Sequence, residues 1–183
     1  QGLLPTIPIY VDSPQATKLT GDYTKHVENY DAETVIEFLH KGELPLTFKN
    51  LHYTETIDES KQLNNLPGPL IVISASGMCE AGRILHHLIN GITNPHNTIL
   101  ITGFQAQHTA GRRLVEGATE IKLFGRMYPV RAQVAVLNEL SAHADASELQ
   151  NYLEHVPGLT QVFLVHGEET QINYFEQQLI KSH

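Results

Sequence analysis

The chain has 183 residues, 41% of them apolar and 17% charged, which suits one well-cored domain or two small ones. Its net charge of −8 argues against a protein that coats nucleic acid through a basic surface, and its one cysteine, Cys79, excludes an internal disulfide or a thiolate zinc cluster. No apolar run approaches the roughly 20 residues that cross a bilayer, so the expectation is a soluble, cytoplasmic protein with no membrane contact.

Taken in order, the chain alternates short apolar runs with helical patterns. A strand is expected over 7–11, followed by Ser13 as a helix N-cap with Pro14 at the first helical position. A helix is expected over 31–40 with Gly42 as its stop, and another from Thr56 to about Asn64. After the turn Pro67-Gly68-Pro69 come a strand over 70–73 and a helix from about Ala81 to Asn90, ended by Gly91. A strand over 98–102 and a helix from about Thr109 to Glu116 follow, then strands over 120–124 and 129–137. This alternation predicts an α/β fold, with a mostly parallel sheet flanked by helices on both faces.

The last third differs in character. Asp145 followed by Glu148 is a capping-box pattern, which fixes the backbone just after His143. The apolar run 161–165 reads as a strand, with His166 at its carboxyl end, where open α/β sheets hold ligands. Beyond Gly167 a helix presents Ile172, Phe175 and Leu179 on one face. For either histidine taken alone, ordinary hydrogen bonding to local backbone is an adequate alternative.

Charge is unevenly spread. All five arginines lie between residues 83 and 131, and the segment 74–133 carries six basic against three acidic side chains. Guanidinium suits phosphate, although scattered surface arginines have the same composition. Two polar loops fall in this segment. Ser74-Ala75-Ser76-Gly77-Met78 leaves an apolar strand for a helix and can cradle an anion, with Arg83 in reach of the same phosphate; a plain strand-to-helix turn has the same residues. Gly103-Phe104-Gln105-Ala106 leads to Thr109, Gly111, Arg112 and Arg113, where an arginine can pair with phosphate or Gly111 can simply permit helix-to-sheet packing. Phe104 can stack on a base but is more simply a core residue, His86 and His87 read as surface or packing residues, and Cys79 packs rather than reacts.

Together with Ile9-Tyr10-Val11-Asp12-Ser13-Pro14, these motifs resemble, in order, the β-CASP branch of the metallo-β-lactamase superfamily, the zinc-dependent RNA-processing nucleases. The resemblance implies a partial β-CASP cap domain over 1–136 and, over 137–183, the C-terminal strands and helices of a metallo-β-lactamase αββα domain. It implies His143 as the general acid and His166 as a metal ligand, with Ser74, Ser76, Gly77, Thr109, Arg112, Arg83 and Arg113 on RNA phosphates. It also implies two zinc ions in the full-length parent, RNA, chiefly single-stranded, as substrate, and a homodimer as one possible assembly. The family's His-x-His-x-Asp-His signature is not in the chain, so the expectation is a C-terminal fragment, inactive alone, whose partner is the N-terminal metallo-β-lactamase domain of its own parent. The alternatives are a non-catalytic scaffold subunit of an RNA-processing complex, and a related hydrolase acting on DNA or an ester.

Overall fold

The computed structural model of the chain describes residues 6–137 and 143–182, and its contacts divide it into one unit over residues 1–140 and a second over 141–183. In the first unit, β1 (Ile9–Asp12) lies centrally between β2 (Leu51–Tyr53) and β3 (Ile71–Ser74), both parallel to it. Ile9 stands opposite Leu51 on one side and Ile71 on the other. A second parallel pair joins β4 (Thr98–Ile101) to β7 (Gln133–Val136), and β5 (Glu120–Leu123) with β6 (Arg126–Pro129) makes an antiparallel hairpin. The class is therefore α/β, with parallel strands and flanking helices.

Helix starts follow the local chemistry. For α1 (Pro14–Lys25), Ser13 Oγ accepts from the amide of Ala16 with Pro14 in the first turn. Asp31 caps α2 (Ala32–Glu37), whose chain continues as a 3-10 turn to a left-handed Gly42 (φ 72°). Thr56 and Glu59 close a reciprocal capping box on α3 (Ile57–Leu63), and Thr109 caps α5 (Ala110–Val115).

Several expectations are corrected. The strand β2 was not expected, because its alternation, Leu51-His52-Tyr53, is only three residues long and too short to read as a period. The strand predicted over 129–137 is two elements, because Pro129 closes β6 and the chain then bends at Arg131 and Ala132, whose amides both bond the carbonyl of Ile92 (2.9 Å each). Helix α4 (Ile84–Gly91) starts three residues later than predicted, since the chain between β3 and α4 folds back, with the Ser76 amide on the carbonyl of Ala81 (3.2 Å). Ser74–Met78 therefore does not open a helix. Cover on both faces is also incomplete: Ile71, Ile73 and Leu100 remain 45%, 53% and 55% exposed among the described residues.

The apolar core sits under α4 and α5. Cys79, Leu85, Leu88, Ile92, Ile101, Ala110, Leu114, Ile121 and Leu123 form one buried cluster. Cys79 thus packs as expected, and burial pushes its thiol pKa up.

In the second unit, Asp145 caps α6 (Ala146–Glu154) through the predicted box: its carboxylate accepts from Glu148 N (2.9 Å), while Glu148 Oε2 accepts from Asp145 N (2.9 Å). Helix α7 (Glu169–Ser182) turns Ile172, Phe175 and Leu179 to its half-buried side. The run 161–165 forms no strand ladder among the described residues. A strand exists only with a hydrogen-bonded neighbour, and Phe163 and Val165 stay 76% and 71% exposed. No helix among the described residues is long and apolar enough to cross a membrane.

Candidate functional site

One carboxylate ties the first sheet to the helices. Asp12 ends β1 with no solvent exposure. Its Oδ1 accepts from Arg83 Nη1 (2.6 Å) and from the hydroxyl of Thr54. Its Oδ2 accepts from Ser60 Oγ (2.6 Å) and His87 Nε2 (2.6 Å). Four donors on two oxygens fill the acceptor capacity of a carboxylate. Burial alone raises the pKa of Asp12, but the bonds from Ser60, Thr54, His87 and Arg83 outweigh it and hold the group at about 2, below its ordinary 3.8. The donors come from the end of β2, from α3 and from the start of α4, so the cluster fixes three elements around the tip of β1.

Two of these donors, Arg83 and His87, were singled out in the sequence. Arg83 is directed inward: besides Asp12 it donates to the carbonyl of Glu55 (3.0 Å), and its side chain is 18% exposed. His87 takes the packing one of its two expected places: its ring joins Asp12 to Asn64 Oδ1 (3.0 Å from Nδ1). The legible signal was a charged residue ending the otherwise apolar run Ile9-Tyr10-Val11, since a buried carboxylate requires several donors.

The two polar loops form one structure. Gln105, 6% exposed, reaches across with Nε2 to the carbonyl of Gly77 (3.0 Å) while bonding the carbonyls of Gly103 (3.1 Å) and Phe104 (3.0 Å). The Gly111 amide donates to the carbonyl of Met78 (3.0 Å), the Ala106 amide to Met78 Sδ (3.4 Å), and the Ala110 amide to the Glu80 carboxylate. Sequence reasoning assigned both loops to phosphate but did not identify Gln105 as the clasp; a buried amide between two glycine-containing loops has no periodic signature.

Within this structure the expected phosphate contacts differ in availability. Ser74 Oγ donates to the carbonyl of Asp12 (3.1 Å), and Thr109 Oγ1 donates to that of Ala106 (2.8 Å) while capping α5 through the amide of Arg112 (3.1 Å). The Ser76 hydroxyl makes no hydrogen bond among the described residues, and the space a Cβ would take at Gly77 is open. Arg112 donates to Glu116 (2.6 Å) and to the carbonyl of Gln105 (3.4 Å), and Arg113 is exposed. Phe104 is not core, being 65% exposed.

Gly111 permits the close approach. A Cβ there would lie 1.7 Å from Gln105 Oε1 and 3.1 Å from the carbonyl oxygen of Met78. Gly111→Ala must displace the buried Gln105 amide and break its bonds to the carbonyls of Gly77, Gly103 and Phe104. The expected loss is about 1–3 kcal/mol of stability, measurable as a fall in the urea midpoint with an unchanged slope.

In the second unit, Ser141 and Ala142 lie outside the described residues. His143 is exposed and precedes the Asp145 cap by two residues. His166 is exposed at a left-handed φ of 60°, a conformation uncommon for a residue with a Cβ. Ala144, the neighbour of His143, and His166 border one cavity of about 600 Å³, walled by Leu153, Phe163 and Ile172.

A parallel α/β unit with knit polar loops, followed by a unit with a histidine-bordered cavity, is matched by known families. Residues 1–114 match the Beta-Casp domain family, and residues 127–183 match the Zn-dependent metallo-hydrolase RNA specificity domain family. The chain belongs to the Beta-Casp family. Similar proteins include Ribonuclease TTHA0252 of Thermus thermophilus, 37% identical over 92% of this chain and 38% of that protein. A transcription termination factor, FttA, of Methanosarcina mazei is 27% identical over 92% of this chain and 27% of its own length. An RNase J-like protein of Methanocaldococcus jannaschii is 37% identical over 68% of this chain and 29% of its own. The chain thus spans 38% or less of the length of each of these three relatives.

The second family is described as zinc-dependent. Among the described residues no three His, Cys, Asp or Glu side chains gather where they could hold a metal ion, whereas a zinc centre takes three or four such ligands. The described donors do not complete a zinc site.

Proposed function

We propose that the full-length protein containing this chain is a zinc-dependent ribonuclease that hydrolyses RNA phosphodiester bonds. The observation that carries this reading is the clasp of the loop bearing Ser76 and Gly77 to the loop bearing Thr109 and Arg112, in a chain of the Beta-Casp family. Similarity to a ribonuclease across 92% of the chain supports RNA as the substrate.

His143 protonates the leaving oxygen as the P–O bond breaks and a water oxygen bonds to phosphorus; an imidazole suits this because it exchanges protons near neutral pH. His166 would hold zinc, which would supply an activated water for the attack, and the remaining ligands would come from the metallo-β-lactamase domain of the full-length protein. Ser76 and the Gly77 backbone meet the RNA phosphates directly, with Arg112 and Arg113 as cationic partners. Ser74, Thr109 and Arg83 maintain the shape of the loops. Such contacts read phosphate and strand shape in preference to sequence.

The test is to incubate the full-length protein with matched labelled RNA and DNA strands, with and without chelator. RNA cleavage abolished by chelator is expected, and the 183-residue chain alone should cleave neither strand. Inactivity of the full-length protein on both strands, unaffected by chelator, would favour a scaffolding role.

A further inference from the structure

The hairpin of β5 and β6 turns on Phe124 and Gly125, both at positive φ (45° and 81°). Two-residue turns of this kind favour Asn, Asp or Gly, because other side chains are strained in that conformation. Phenylalanine in the first position works against the turn. It does not serve the core either: Phe124 is 60% exposed, while Ile121 and Leu123 beside it are 1% and 2% exposed. A large aromatic held in water on a disfavoured backbone is a feature that packing does not explain, and such outliers concentrate at binding sites.

What surrounds Phe124 suggests the ligand. Its ring lies 5.1 Å from that of His86 on α4, tilted by 37°. The two rings border an open cavity of about 670 Å³ whose lining includes Lys61, Asn64 and Asn90. Among the described residues the Lys61 ammonium has one charged partner, Asp58, at a solvent-exposed 3.7 Å. Glu80, an acidic group of this cavity, directs its carboxylate to the amide of Ala110. Aromatic faces, amides and the Lys61 ammonium together fit an unpaired base on a phosphate backbone.

We propose that Phe124 and His86 form a stacking site for one base of single-stranded RNA, with Lys61 meeting an adjoining phosphate. This rests on the RNA-hydrolase reading above and adds a subsite to it. Because every base has a π-face, the site accepts any sequence but selects unpaired strands.

The test uses the full-length protein and a single-stranded RNA with phosphorothioate linkages and one 2-aminopurine, following anisotropy for affinity and 2-aminopurine quenching for stacking. Phe124→Asn suits the turn, so its melting temperature should hold or rise while affinity falls roughly 5- to 100-fold and quenching is lost. Phe124→Trp should keep both. Wild-type affinity and quenching in Phe124→Asn would overturn the proposal, as would a Phe124→Asn protein that unfolds, which would make the ring a packing residue. Failure of the wild-type protein to bind RNA would remove the RNA reading itself, and this subsite with it.

Discussion

Asp12→Ala should lower the stability of the chain by about 3–5 kcal/mol, the range for removing one partner of a buried ion pair and stranding the other. Arg83 and His87, 18% and 11% exposed, would keep their positions with no carboxylate to meet, and the hydroxyls of Ser60 and Thr54 would lose their acceptor. Equilibrium urea unfolding followed by circular dichroism measures this; a loss below 1 kcal/mol would show that the cluster is not a structural hub. Asp12→Asn should cost less at neutral pH, since it keeps the shape and one acceptor oxygen.

The same carboxylate sets an acid limit. Its folded pKa of about 2 lies below the ordinary 3.8, so its contribution is fully present above about pH 4. It is lost as pH falls through 3.8 towards 2, since the unfolded chain takes up the proton first. The shift corresponds to roughly 2 kcal/mol. Stability of the wild-type chain should therefore fall more steeply than that of Asp12→Asn between pH 4 and 2, and parallel curves would contradict the assignment.

On the chemistry, His143→Ala in the full-length protein should reduce the rate of RNA hydrolysis by about 10²- to 10⁴-fold, the usual contribution of a positioned general acid, with little change in RNA affinity. His166→Ala should act differently, lowering the zinc content as well as the rate. Single-turnover cleavage combined with elemental analysis separates the two effects. A His143→Ala protein cleaving at the wild-type rate would remove the proton-donor role, and unchanged zinc in His166→Ala would remove the ligand role.

The sequence was most informative where structure is local. Ser13 with Pro14, Thr56, and Asp145 with Glu148 each satisfy backbone groups within a few residues, so these helix starts were legible without any fold, whereas the helix expected over 31–40 ends at Glu37 and Gly42 closes the 3-10 turn beyond it. The hairpin turn was missed for a local reason too: Phe124 occupies a position where a turn would normally announce itself by Asn or Asp.

Composition and order alone determined the α/β class, the apolar runs, the helix caps and the motif series that resembles the β-CASP family. Only the tertiary structure decided that Asp12 gathers Thr54, Ser60, Arg83 and His87, that Gln105 clasps two loops, that Arg83 faces inward, and that the run 161–165 has no ladder among the described residues. The division has a physical cause. A cap is satisfied by neighbours in sequence, whereas a buried carboxylate, a buried amide and a strand each depend on partners that arrive from distant parts of the chain and leave no periodic trace in it.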